Sequence, residues 1–147
     1  LITGVGVLMQ LIIDLGGIKM LAAALISIMN EKTATAIMGI TSGIMSWFSS
    51  TSGVVMPTLI PTIPHIVSEF PGVSKLELAT AITMISNTAG ISPLSTGGAL
   101  ALAAYSSAAN AGQKEQQELF VKMFAISAAG VLVLSVLSYF GLYRWLL

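Results

Sequence analysis

Charged side chains are missing from four stretches of this chain: Leu1 to Ile13, Thr33 to Ser68, Leu78 to Gln113 and Met123 to Tyr143. The remaining residues must place all six acids and six bases in short clusters between those runs. A soluble domain carries roughly a quarter of its residues as charges, whereas here the share is 8%, with 55% hydrophobic residues and a mean hydropathy of +0.92. So few charges cannot cover the surface of a water-soluble fold of this length. The expectation is an all-α integral membrane protein that crosses the bilayer more than once, with the lipid bilayer as its first partner. A net charge of zero offers nothing to nucleic acid, and none is expected as a partner. With no cysteine, disulfide and thiolate chemistry are excluded.

The lengths of the runs set the next constraint. A helix crosses the roughly 30 Å hydrocarbon core in about 20 residues. Residues 1–15 are too short to span alone and read as the end of a transmembrane helix, stopped by Gly16-Gly17. Because the chain opens inside that apolar run, it is expected to be the C-terminal part of a longer protein. Residues 16–32, with Lys19 in the first turn, read as an interfacial amphipathic helix. Each of the two central uncharged runs covers about 35 residues, too many for one crossing and too few for two crossings with a polar loop.

Both central runs are interrupted in the middle by residues that suit neither lipid nor core. In 33–69 the interruption is "SSTSG", Ser49 to Gly53, followed by Pro57, Pro61 and Pro64. This segment is expected to be a re-entrant hairpin with its tip near 49–53. In 78–111 the interruption is "SPLSTGG", Ser92 to Gly98, expected to break a transmembrane helix. Residues 112–122 are the most polar stretch, expected to be a loop, and 123–147 the last transmembrane helix with Tyr143, Arg144 and Trp145 as interfacial anchors.

Unwound backbone survives at membrane depth only inside protein or beside water. Two successive interruptions therefore point to a use. Secondary transporters build sites from discontinuous helices, where half-helix N-termini face anions and freed carbonyls hold a coupling cation. Such a site needs no Lys or Arg, and neither interrupted run contains one.

These residues also carry a family resemblance. "FSSTSGVVMPTLIPTI" resembles the re-entrant hairpin of the divalent-anion:sodium symporters of the ion transporter superfamily, where a Ser-Asn-Thr signature caps the tip. Here Ser49-Ser50-Thr51 stands in that place, with Ser50 where the signature has Asn. "SPLSTGGALALAA" is similar to the broken helix that follows, with Gly97-Gly98 where Pro-Pro is usual. The literal "SNT", Ser86 to Thr88, lies upstream of Pro93 instead. The Ser-Pro-x-Ser-Thr-x-Gly-Ala form looks closer to the malonate and dicarboxylate carrier branch (MatC-like) than to citrate and succinate carriers.

The resemblance implies the C-terminal inverted repeat of an elevator-type carrier in a bacterial cytoplasmic membrane, homodimeric when complete, paired with an N-terminal half of the same protein. It implies a sodium ion and a small di- or tricarboxylate held between tip and break. Ser49, Ser50 and Thr51 would supply hydroxyls and backbone groups at the tip, beside Gly53. Ser95, Thr96 and Gly97 would supply a hydroxyl and carbonyls at the break, with Asn87 and Ser92 in second rank. Sodium as the coupling ion is the only cofactor expected.

Blander uses of the same residues exist. Small-residue stripes such as Gly39-x-x-x-Gly43 commonly serve close helix packing. His65, the single histidine, follows Pro64 at the edge of an uncharged run and reads as interfacial. No acid, base or second histidine accompanies the interruptions, so an intramembrane enzyme is not expected. The rival class is a structural or assembly subunit of a membrane complex. Lys114 and Lys122 place the polar stretch in the cytoplasm, so that the hairpin enters from the outer face.

Overall fold

The computed structural model describes residue 7 and residues 10–109 and 112–146, with side chains at all of these except 144 and 146. Most of the expected first helix, residues 1–6, 8 and 9, lies outside them, as do 110, 111 and 147. Residues 10–14 are helical. The elements are α1 (Gly17–Ile26), α2 (Ala34–Phe48), a π-helical turn (Thr51–Val55), α3 (Met56–Leu59), a 3-10 turn (Ile60–Thr62), α4 (Ile63–Glu69), α5 (Lys75–Ala89), α6 (Thr96–Ala108), α7 (Gln113–Tyr139) and α8 (Leu142–Leu146). There is no strand among the described residues, so the fold is all-α.

The break expected near 92–98 lies instead at 90–95, with Thr96, Gly97 and Gly98 already in the first turn of α6. Three further boundaries differ from the sequence reading, each for a local reason. The helix expected over 16–32 ends at Ile26, because Asn30 Oδ1 accepts the N–H groups of Lys32 and Thr33, each at 3.1 Å, and turns the chain. Residues 113–122, expected as a loop, are helical. Lys, Glu and Gln are strong helix formers, and Glu115 Oε2 accepts the Gly112 N–H at 3.2 Å to cap the start. The helix expected over 123–147 stops at Tyr139, where Gly141 takes φ 76°, a left-handed conformation that suits glycine. Beyond it Tyr143 is buried, and burial pushes its phenol above its ordinary pKa.

At 27 residues, α7 is the one helix among the described residues long and apolar enough to cross a membrane.

The core is a three-helix unit of α2, α5 and α7. Ser42 Oγ reaches Ile82 O at 3.3 Å and Ser46 Oγ reaches Ser86 O at 2.7 Å, both across a separation of 40 residues, so α2 and α5 run parallel. Trp47 meets Ser127 while Gly43 faces Val131, numbers that fall along one helix as they rise along the other. The third helix, α7, is therefore antiparallel to both. Between α2 and α5 the chain returns through residues 51–69. The backbone is helical without a gap over 51–69, and Pro57, Pro61 and Pro64 each lie in the first turn of one of its α or 3-10 stretches, so that the arm is not a regular α-helix. The arm packs its Leu59, Ile63 and Ile66 against Leu25 and Met29 from α1 and its C-terminal turn, and against Met38 and Leu78.

Close approach of α2 depends on Gly39, Ser42, Gly43 and Ser46, which fall on one face at helical spacing. A Cβ at Gly39 would meet Ile85 Cδ1. One at Gly43 would lie 2.9 Å from Val131 Cγ1 and 3.1 Å from Ile85 Cγ2. Gly43→Val is expected to destabilise the purified protein by about 1–3 kcal/mol through overpacking, measured as a lower midpoint of thermal unfolding.

Candidate functional site

The chain is interrupted twice at the same end of the three-helix unit. The first interruption follows Phe48. Ser49 adopts an extended backbone, and its hydroxyl donates back to Met45 O at 2.6 Å, occupying a carbonyl at the end of α2. Ser50 caps the π-helical turn, its Oγ accepting the Gly53 N–H at 3.1 Å. The second interruption runs from Gly90 to Ser95. Here Ser95 caps α6, accepting the Gly98 N–H at 3.0 Å, and its hydroxyl lies 2.6 Å from Gly90 O and 2.8 Å from Ser92 O. Pro93 is buried in this turn, where a residue without an N–H leaves no donor to satisfy.

Thr51 links the two. Its Oγ1 lies 2.9 Å from Ser86 O, near the end of α5, and 2.7 Å from Ser46 Oγ, which itself lies 2.7 Å from Ser86 O. A Cβ at Gly90 would sit 3.4 Å from Thr51 Oγ1, so Thr51 lies beside the first residue of the break. Trp47 fixes the same corner to α7: its Nε1 donates to Ser127 Oγ at 3.0 Å, and Ser127 Oγ donates to Ala89 O at 3.0 Å.

The use of protons in this knot follows from counting. The Ser86 carbonyl already accepts the Gly90 N–H at 2.9 Å and has two lone pairs. Three oxygen contacts share two hydroxyl protons. One hydroxyl therefore donates to the carbonyl and the other donates to that hydroxyl. Either order, Thr51 to Ser46 to the carbonyl or Ser46 to Thr51 to the carbonyl, spends the Thr51 proton inside the knot. That leaves Thr51 Oγ1 acting toward the outside as an acceptor alone.

The other sequence candidates are dispersed. Ser92 is buried, its Oγ accepting the Leu94 N–H at 3.3 Å. Gly53, Thr96 and Gly97 are exposed. Asn87 is exposed on α5, its Nδ2 donating to Thr83 O at 2.9 Å on its own helix, away from the tip contacts. Thr51 and Ser95 thus converge on Gly90, one from each interruption, whereas Ser49, Ser50 and Asn87 bond locally.

Four participants were not among the sequence candidates: Ser46, Ser86, Gly90 and Ser127. The available signal was periodic. Ser46 continues the small-residue stripe of α2, and Ser127 begins a buried face of α7 with Val131, Ser135 and Ser138. Comparison with protein-family models, curated proteins and solved structures gives no match for this chain.

Proposed function

We propose that this chain is part of a membrane-embedded secondary carrier for small di- or tricarboxylate anions, with sodium as the coupling ion. The observation that carries the reading is the meeting of two helix interruptions at Thr51, Ser86 and Gly90. The 27-residue helix α7 supports its placement in a bilayer. Ser127, bonded to the tip corner, lies five residues past Lys122, about 7 Å at 1.5 Å per residue. In a bilayer crossed by α7, the tip would lie inside the apolar slab, where two unwound segments persist only beside protein or water. There Thr51 Oγ1, free to accept, offers an oxygen ligand to a hard cation, and the N-terminus of α6 offers N–H groups to a carboxylate.

The assembly-subunit reading draws support from the same knot, since hydroxyls that bond one another can serve packing alone. Uptake of radiolabelled succinate and malonate by cells expressing the full-length protein separates the two. Sodium-dependent uptake is expected in the parent. Thr51→Val and Thr96→Val should each weaken its sodium dependence at least tenfold, with Thr51→Ser close to the parent. Uptake absent from the parent would favour the assembly role, and unchanged sodium dependence in both valine variants would overturn the assignment of the site to these residues.

A further inference from the structure

At the other end of the unit a cleft of about 820 Å³ opens between the turn before α2, the loop before α5 and the corner joining α7 to α8. Its wall includes Glu77, only 7% exposed, in the first turn of α5. The one hydrogen bond to that carboxylate among the described residues comes from Thr35 Oγ1, at a long 3.4 Å. A carboxylate offers about four acceptor positions, so most of those on Glu77 have no protein donor among the described residues. Ser138 lines the same cleft, is 3% exposed, and its hydroxyl has no hydrogen-bond partner among the described residues. A second carboxylate, Glu31, is held against the loop: a Cβ at Gly72 would collide with Glu31 Oε1.

We propose that this cleft binds an alkylammonium group. Among the described residues the charges lining it are two carboxylates and Lys32, one negative charge in excess. Three aromatic residues, Tyr139, Phe140 and Trp145, also line the cleft, with Tyr139 and Phe140 edge-on at 5.7 Å and 81°. Aromatic faces attract cations and are the usual surroundings of quaternary ammonium ligands. A bare metal ion fits less well. Hard divalent cations take six or more oxygens in a compact shell, and no group of three or more His, Cys, Asp or Glu is assembled among the described residues. The ammonium can belong to a free amine or to a choline or ethanolamine headgroup, and the end of α7 is where a headgroup would lie if α7 crosses a bilayer. From Ser127 to Ser138 along α7 is about 16 Å, so this site stands or falls independently of the transport reading.

The test is calorimetric titration of the full-length protein in phosphatidylglycerol nanodiscs with tetramethylammonium chloride, against sodium chloride at equal ionic strength. Saturable binding of tetramethylammonium alone is expected. Glu77→Gln should weaken it at least tenfold. Trp145→Leu, at a position 88% exposed and so safe for folding, should weaken it severalfold. In phosphatidylcholine discs a headgroup ligand lowers the apparent affinity severalfold, whereas a free-amine site keeps it. No saturable heat in phosphatidylglycerol, equal heat from sodium, or parent-like binding by Trp145→Leu would overturn the proposal.

Discussion

Gly98→Ala is expected to give the largest loss of stability of any single methyl added at the described glycines. Gly98 is buried in the first turn of α6, and a Cβ there would run into the carbonyl oxygen of Ser92, with Ser92 C at 2.6 Å and Ile91 O at 3.0 Å. All three atoms are backbone, so no side-chain rotation relieves the contact. Either the 90–95 turn or the start of α6 must move. The cost is expected to be about 3 kcal/mol or more, at the upper end of overpacking. Thermal unfolding should show it directly. Gly97→Ala is the control: its Cβ would meet only Gly90 O, at an ordinary 3.8 Å, and stability should stay within about 0.5 kcal/mol of the parent.

Ser95→Ala attacks the same turn from the other side. The Ser95 hydroxyl is 2% exposed and both donates and accepts, holding the Gly98 N–H and standing against the Gly90 and Ser92 carbonyls. Alanine leaves a buried N–H and a buried carbonyl without that partner. Removal of a capping hydroxyl costs about 1 kcal/mol, and buried groups left unpaired raise the loss to about 2–3 kcal/mol. Ser95→Thr keeps the hydroxyl and should recover most of it. Both positions act on one turn, so the Ser95→Ala, Gly98→Ala double variant should lose less than the sum of the single losses. Full additivity in a double-mutant cycle would show that the hydroxyl and the close backbone contact are independent, against the single-turn reading.

The two interruptions were visible in the sequence because their cause is local. Ser50 and Ser95 each precede an N–H three residues on that their side chains can cap, which starts a new helical segment there. The charged stretch 112–122 misled for an equally local reason. Polarity says where water is, and Lys, Glu and Gln in water still favour a helix, so α7 starts ten residues before the expected span.

The knot itself was not legible. Ser86-Asn87-Thr88 drew notice for its amide, yet the structure uses the Ser86 carbonyl inward and leaves Asn87 outward. Neighbouring residues on a helix point about 100° apart, and one sequence does not say which of them faces the partner. Ser46 and Ser127 were hidden for a related reason. A serine within a helix ordinarily bonds a carbonyl of its own preceding turn, so its presence does not announce a bond to another helix.

By itself the sequence determines that the chain is helical and that its two central uncharged runs are interrupted near Ser49 and Pro93. These follow from the lengths of the uncharged runs and from proline, glycine and capping serines, whose effects reach only a few residues. The tertiary structure alone decides that Thr51 meets Ser86 and Gly90, and that Glu77 is buried beside Thr35 at the other end. Both depend on the register in which α2 lies parallel to α5. That register is set by Gly39 and Gly43 fitting against Ile85 and Val131, shape contacts between residues more than forty positions apart.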